Sequence, residues 1–169
     1  MKILVVLGTR PEIIKMAPVI FELQKRKIQF EIVHTGQHYS DNMDRIFWDS
    51  FQLPEPKYKL GVQEKTHAKQ VAEMMRKLDD ILDQECPDWV LVHGDTNSTL
   101  SGAIAACKRA NIKVAHVEAG LRSFDRRMPE ELNRILTDQV SSLLFAPTPE
   151  AKKQLLREGV SPSKIRVVG

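Results

Sequence analysis

Residues 90–134 decide the fold. They read VLVHGDTNST (90–99), an Ala-rich segment, VAHVEAGLRS (114–123) and RRMPEELNR (126–134). Two apolar runs, residues 89–92 and 114–117, each give way at once to polar, turn-forming residues. Between them residues 98–110 have helical composition, so the stretch predicts a strand–helix–strand crossover of the parallel type. Each strand ends in a His-x-acid pair, His93-x-Asp95 and His116-x-Glu118. Side chains repeat every two residues along a strand, so both members of a pair point the same way wherever the chain stays extended. In open parallel sheets, ligands bind outside the carboxyl ends of the strands. The expectation is a pocket there holding two carboxylates and two imidazoles.

Working outward, residues 3–7 form a continuous apolar run suited to a central parallel strand. Gly8-Thr9-Arg10-Pro11-Glu12 then turns into a helix, with Pro11 at its first position and Glu12 in its first turn. Residues 30–33 predict a second strand, and Ser40 or Asp41 a cap for a helix running to about residue 51. Residues 53–62 read as a connector with one short strand. Residues 66–84 form the longest helical stretch, and Val71, Met74, Met75, Leu78, Ile81 and Leu82 mark a stripe assigned to the core over a dimer interface. Residues 143–146 and 165–168 supply further strands, with a helix over 150–157 between them. Strands alternating with helices in this way imply a doubly wound parallel sheet, α/β in class.

Composition bounds the function. The 169 residues suit one domain, with 42% hydrophobic and 28% charged residues as in ordinary globular proteins. A formal net charge of +3, without any run of five like charges, gives no reason to expect a nucleic-acid partner. No apolar run reaches the roughly 18 residues of a membrane span. Cys86 and Cys107 lack metal or redox spacing and read as reduced residues of a cytoplasmic protein.

Four constellations carry chemistry. In the first, Arg10 and Lys15 flank a helix start, where backbone N–H groups favour anions; the alternative is a local pair of Arg10 with Glu12 or Glu130. In the second, Asp95, Thr96, Asn97 and Ser98 exceed what one helix cap needs, with Asn97 or Ser98 expected as the cap. In the third, Glu118 ends a buried strand, and either pairs with Arg122, Arg126 or Arg127, or crowds Asp95 as an acid/base couple. In the fourth, Glu130 adds a third carboxylate, unless it simply pairs with Arg134 four residues on. A metal site built from His93, Asp95, His116 and Glu118 is a further alternative.

GTRPE, IIKMAP, TGQH, HGDTNST, HVEAGLRS and MPEELNR stand here in the order and spacing of a known family. The whole chain resembles the non-hydrolysing UDP-N-acetylglucosamine 2-epimerases. The resemblance implies a Rossmann-like domain, residues 1–169, forming the N-terminal half of a GT-B-type two-domain fold, with the UDP-binding C-terminal domain outside this chain. It implies interconversion of UDP-GlcNAc and UDP-ManNAc by loss of UDP, passage through 2-acetamidoglucal, and re-addition. Asp95, Glu118 and Glu130 become the acid/base candidates. Arg10, Lys15, His93, Arg122 and Asn133 become substrate-binding candidates. Gln37 and His38 match contacts to a second, allosteric UDP-GlcNAc, although Tyr39, Ser40, Asp41 and Asn42 depart from the usual continuation. The family implies no metal or other cofactor, a homodimer, a role in polysaccharide biosynthesis, and little activity from these 169 residues alone. Two other readings compete with it: a metal-dependent phosphohydrolase or deacetylase, and a non-catalytic dimerising or ligand-binding module built on helix 66–84.

Overall fold

The computed structural model describes residues 1–36 and 48–168. Among these residues, seven parallel strands form one sheet in the order β3-β2-β1-β4-β5-β6-β7. They are β1 (Lys2–Leu7), β2 (Gln29–His34), β3 (Tyr58–Lys59), β4 (Trp89–His93), β5 (Lys113–Val117), β6 (Leu143–Ala146) and β7 (Ile165–Val167). The helices between them are α1 (Arg10–Lys25), α2 (His67–Glu85), α3 (Asn97–Cys107), α4 (Pro129–Val140) and α5 (Pro149–Arg157). The helix expected to start at Ser40 or Asp41, and the paired candidates Gln37 and His38, lie outside the described residues.

The apolar run of β1 explains why it sits centrally. Leu4 and Val6 face one side and pack with Met74, Leu78, Val92 and Ala103 of α2, β4 and α3. Val5 and Leu7 face the other and pack with Ile13, Met16 and Ile20 of α1. The two-residue period of the strand thus joins two cores through one backbone. Of the α2 stripe, Met74, Leu78, Ile81 and Leu82 belong to the first of these cores, and Val71 and Met75 are half-buried outside it. On the α1 face, Val19, Trp89, Leu91, Val117 and Phe145 line an apolar groove of about 640 Å³.

Helix ends follow local chemistry. Thr66 caps α2 by accepting from the Lys69 amide, and Thr148 caps α5 through the Ala151 amide. At the far end of α2, Cys86 takes a left-handed conformation (φ 43°) just before Pro87. The cap of α3 is Thr96, whose hydroxyl accepts from the Thr99 amide at 3.2 Å. Asn97 and Ser98, the caps expected from sequence, are instead buried residues of the first helical turn.

Candidate active site

The chain leaves β1 toward β2 and leaves β4 toward β5, so the order reverses between these two neighbours. A crevice opens at their carboxyl ends, the usual ligand position in such sheets. It holds a pocket of about 350 Å³, walled by the starts of α1, α2, α3 and α4 and by the turn after β5.

Glu12 ties the two central corners together. It is 2% exposed. Its Oε2 accepts from the amides of Gly8 at 2.8 Å and Thr9 at 2.7 Å, and from the Thr9 hydroxyl at 2.9 Å. Its Oε1 accepts from the Thr96 hydroxyl at 2.7 Å, with the Thr99 hydroxyl at 3.2 Å. Burial pushes its carboxyl above the usual carboxylate range, and these donors pull it back in part. Close packing fixes the same corner: a Cβ on Gly8 would fall 1.9 Å from Ser98 Oγ and 2.2 Å from Thr35 Oγ1.

Glu118 follows β5 directly and has a positive φ of 71°, a left-handed conformation that costs a side-chain-bearing residue free energy. That turn swings its carboxylate across the sheet edge. Oε2 lies 3.4 Å from Nε2 of His93 and 2.6 Å from Nζ of Lys15. His93 and Lys15 together hold the carboxyl at about 2, against the opposing effect of burial. The pocket therefore contains an ionised glutamate whose cation, Lys15, remains half exposed.

The His-x-acid pairs do not both point into the crevice. The extended backbone ends at His93 and Val117, and Gly94 (φ 71°) and Glu118 both turn left-handed, which breaks the two-residue period. His116 is fully buried beneath the pocket. Its Nδ1 lies 2.7 Å from Asp138 Oδ1, and its Nε2 donates to the Gly94 carbonyl at 2.7 Å. With both ring nitrogens occupied, His116 offers no lone pair to a metal. The four-residue metal set is therefore not brought together, and no group of three such side chains is gathered among the described residues.

Asp95 lines the pocket, and its carboxylate accepts from Arg134 Nη2. Asn133 donates to the Asp95 carbonyl at 2.9 Å and to Asn97 Oδ1 at 3.1 Å. Glu130 is exposed on the pocket wall, and no ion pair holds it among the described residues. Its neighbour Glu131 is 2% exposed and accepts from the amides of Ser123 at 2.9 Å and Phe124 at 3.1 Å, so it shapes the preceding loop. Arg134 thus pairs with Asp95, and at 3.7 Å with Glu131, rather than with Glu130. Arg122 is not on the pocket wall; its guanidinium joins Asp138 at 2.7 Å and Glu158. Arg10 opens α1 beside the pocket without lining it.

Seven wall residues are not among the sequence candidates: Thr9, Pro11, Glu12, His67, Gly94, Thr96 and Asn97. Glu12 carried a signal, since an acid three residues after Thr9 is a capping-box pattern. His67 carried none. It reaches the wall only because α2 packs along α3, a long-range contact that no local spacing reports.

Three corner segments, a shared pocket and a Rossmann strand order meet in one chain. A family model described as UDP-N-acetylglucosamine 2-epimerase matches residues 22–169. The chain belongs to that family. Among curated relatives, the UDP-N-acetylglucosamine 2-epimerase of Methanocaldococcus jannaschii is 56% identical over 169 residues, which are 100% of this chain and 46% of the relative. This epimerase-family chain therefore spans about half the length of that relative. The crystal structure of the M. jannaschii enzyme in complex with UDP-GlcNAc and UDP superposes with a TM-score of 0.96, covering 100% of this chain and 46% of that one. The UDP-2,3-diacetamido-2,3-dideoxy-D-glucuronate 2-epimerase of Pseudomonas aeruginosa is 47% identical over 99% of this chain and 48% of its own length. A lipopolysaccharide outer core galactosyltransferase, WaaB, shares the fold alone, with a TM-score of 0.67 at 20% identity over 99% of this chain and 45% of its own. The domain is thus the Rossmann-like α/β unit of a GT-B-type architecture. No helix among its described residues is long and apolar enough to cross a membrane.

Proposed function

We propose that this chain supplies the acid/base wall of an enzyme interconverting UDP-GlcNAc and UDP-ManNAc. The observation that carries the reading is the meeting in one pocket of Asp95 from the β4–α3 corner, Glu118 and Glu130 from the β5–α4 corner, and Lys15 from the β1–α1 corner. Inversion at C2 needs a base on one face of the sugar and an acid on the other. The base takes the C2 proton, the C–H electrons form the C1=C2 bond of 2-acetamidoglucal, and the C1–O electrons leave with UDP. Return of a proton to C2 from the opposite face, with re-addition of the UDP oxygen at C1, completes the inversion. Lys15 neutralises the charge that develops on the departing diphosphate, with Arg10 at the start of the same helix in the same role. His93 orients Glu118, and Asn133 fixes the Asp95 backbone. Arg122 acts from behind the pocket, through Asp138.

Uridine recognition is assigned to a second domain, because the relatives are about twice this length. The 169 residues alone are then expected to turn over little. The reading also carries a homodimer and, from the free Cys86 and Cys107, a cytoplasmic location. The test is solvent exchange: the protein carrying this chain is incubated with UDP-GlcNAc in deuterium oxide and followed by NMR. Deuterium entering C2 as UDP-ManNAc appears supports the reading, with Glu118→Gln and Asp95→Asn slowing it at least 100-fold. Epimerisation without exchange, or full activity in both variants, would overturn it.

A further inference from the structure

We infer that His67 is a substrate-contacting residue of the same pocket, presenting its Nε2–H to an oxygen of the bound nucleotide sugar. The inference rests on the proposed reading of the pocket and adds a residue that the acid/base chemistry does not use. His67 is the first residue of α2 and exposed, yet it is part of the pocket wall.

A short polar chain holds it there. Asn133 donates to Asn97 Oδ1 at 3.1 Å, which fixes the amide orientation of Asn97. Asn97 Nδ2 then has two hydrogens to place. One goes to Gln70 Oε1 at 2.8 Å, and the other faces His67 Nδ1 at 3.0 Å. Nδ1 must therefore accept, which puts the ring hydrogen on Nε2. The imidazole is a pre-oriented donor with its other nitrogen already engaged. Asn97 is 2% exposed and joins α2, α3 and α4 at this point, so the chain is fixed by packing rather than by solvent. Oxygen acceptors are what a nucleotide sugar offers in abundance, in its hydroxyls, acetamido carbonyl and diphosphate. A donor held before the ligand arrives loses little entropy when it binds.

The test is steady-state kinetics on the protein carrying this chain. His67→Ala is expected to raise KM for UDP-GlcNAc about tenfold while kcat stays within about twofold, the pattern of lost uniform binding. His67→Gln, which keeps an N–H donor, should recover part of the loss. His67→Ala also removes the acceptor that meets Asn97 Nδ2, so thermal scans accompany the kinetics and a small fall in Tm is expected in that variant. An unchanged KM in His67→Ala overturns the inference, as does an equal loss in both variants. In parallel, the His67 ring nitrogen signals are followed by NMR while UDP-GlcNAc is added. Shifts at Asp95 and Thr96 without one at His67 refute this inference alone. No shift anywhere in the pocket refutes the reading of the pocket itself.

Discussion

Lys15 and Glu118 are far apart in sequence, yet Nζ and Oε2 stand 2.6 Å apart across the sheet edge. The pair exists because β1 and β5 flank β4, and because Glu118 accepts a left-handed backbone to reach back over it. The carboxyl, held at about 2 by His93 and Lys15, lies below its value in an unfolded chain. A depressed carboxyl contributes stability that is full above the unfolded value and is lost as pH falls through the folded one. Glu118→Gln should therefore unfold with a weaker dependence on acid than the parent between about pH 5 and pH 2. Thermal scans across that range, compared with the parent, check it; parallel curves would count against the pairing.

Glu12 works in the opposite sense. Burial raises its carboxyl above the unfolded value, so its contribution falls as pH rises from the ordinary carboxylate range through the raised one. Glu12→Ala orphans the Gly8 and Thr9 amides and should cost about 2–6 kcal/mol, as buried donors left unpaired cost roughly 1–3 kcal/mol each. Glu12→Gln keeps an acceptor for both amides, and the threonine hydroxyls can rotate to meet its NH₂. It should cost less than half as much in urea denaturation at neutral pH.

Two glycines with similar backbones should behave differently. Gly94 has φ 71° and Gly120 has φ 84°, but a Cβ at Gly94 meets nothing within 4 Å, whereas one at Gly120 would fall 2.5 Å from the Ala151 carbonyl oxygen. Gly94→Ala should cost about 1 kcal/mol, the backbone strain alone, and Gly120→Ala clearly more, about 3 kcal/mol or above. Unfolding of both variants by urea reports the difference directly.

Arg122 and Asp138 form a buried pair, with side chains 2% and 0% exposed. Asp138 also receives the Gly120 amide at 3.1 Å and faces His116. Arg122→Met removes the cation and leaves the carboxylate under-compensated, for a loss of about 3–5 kcal/mol. A loss under 1 kcal/mol in denaturant titration would mean that His116 and Gly120 suffice.

Much of this was legible in the chain itself. Apolar runs such as those at residues 3–7 and 114–117 locate strands because a parallel sheet covered on both faces needs unbroken hydrophobicity. The corners carrying Asp95, Glu118 and Glu130 were legible too, because turn residues follow each run without delay. The direction of each side chain was not. His116 and Glu118 read as a matched pair, but a single left-handed residue sends one inward to Asp138 and the other across to Lys15. Glu130 and Glu131 are likewise neighbours of one chemical type, and only tertiary packing decides which is buried under Ser123 and Phe124 and which stays on the wall. Arg122 looked like a ligand contact until Asp138 and Glu158 claimed its guanidinium.

All seven strands run the same way, and this gives the molecule two rims with separate duties. Every βα corner that carries a named carboxylate or cation lies on one rim. Three of the αβ returns, at residues 26–28, 86–88 and 108–112, lie on the other, are largely solvated, and bear none of the pocket residues. That second rim is where a dye, an affinity handle or a few inserted residues can be grafted without touching the chemistry.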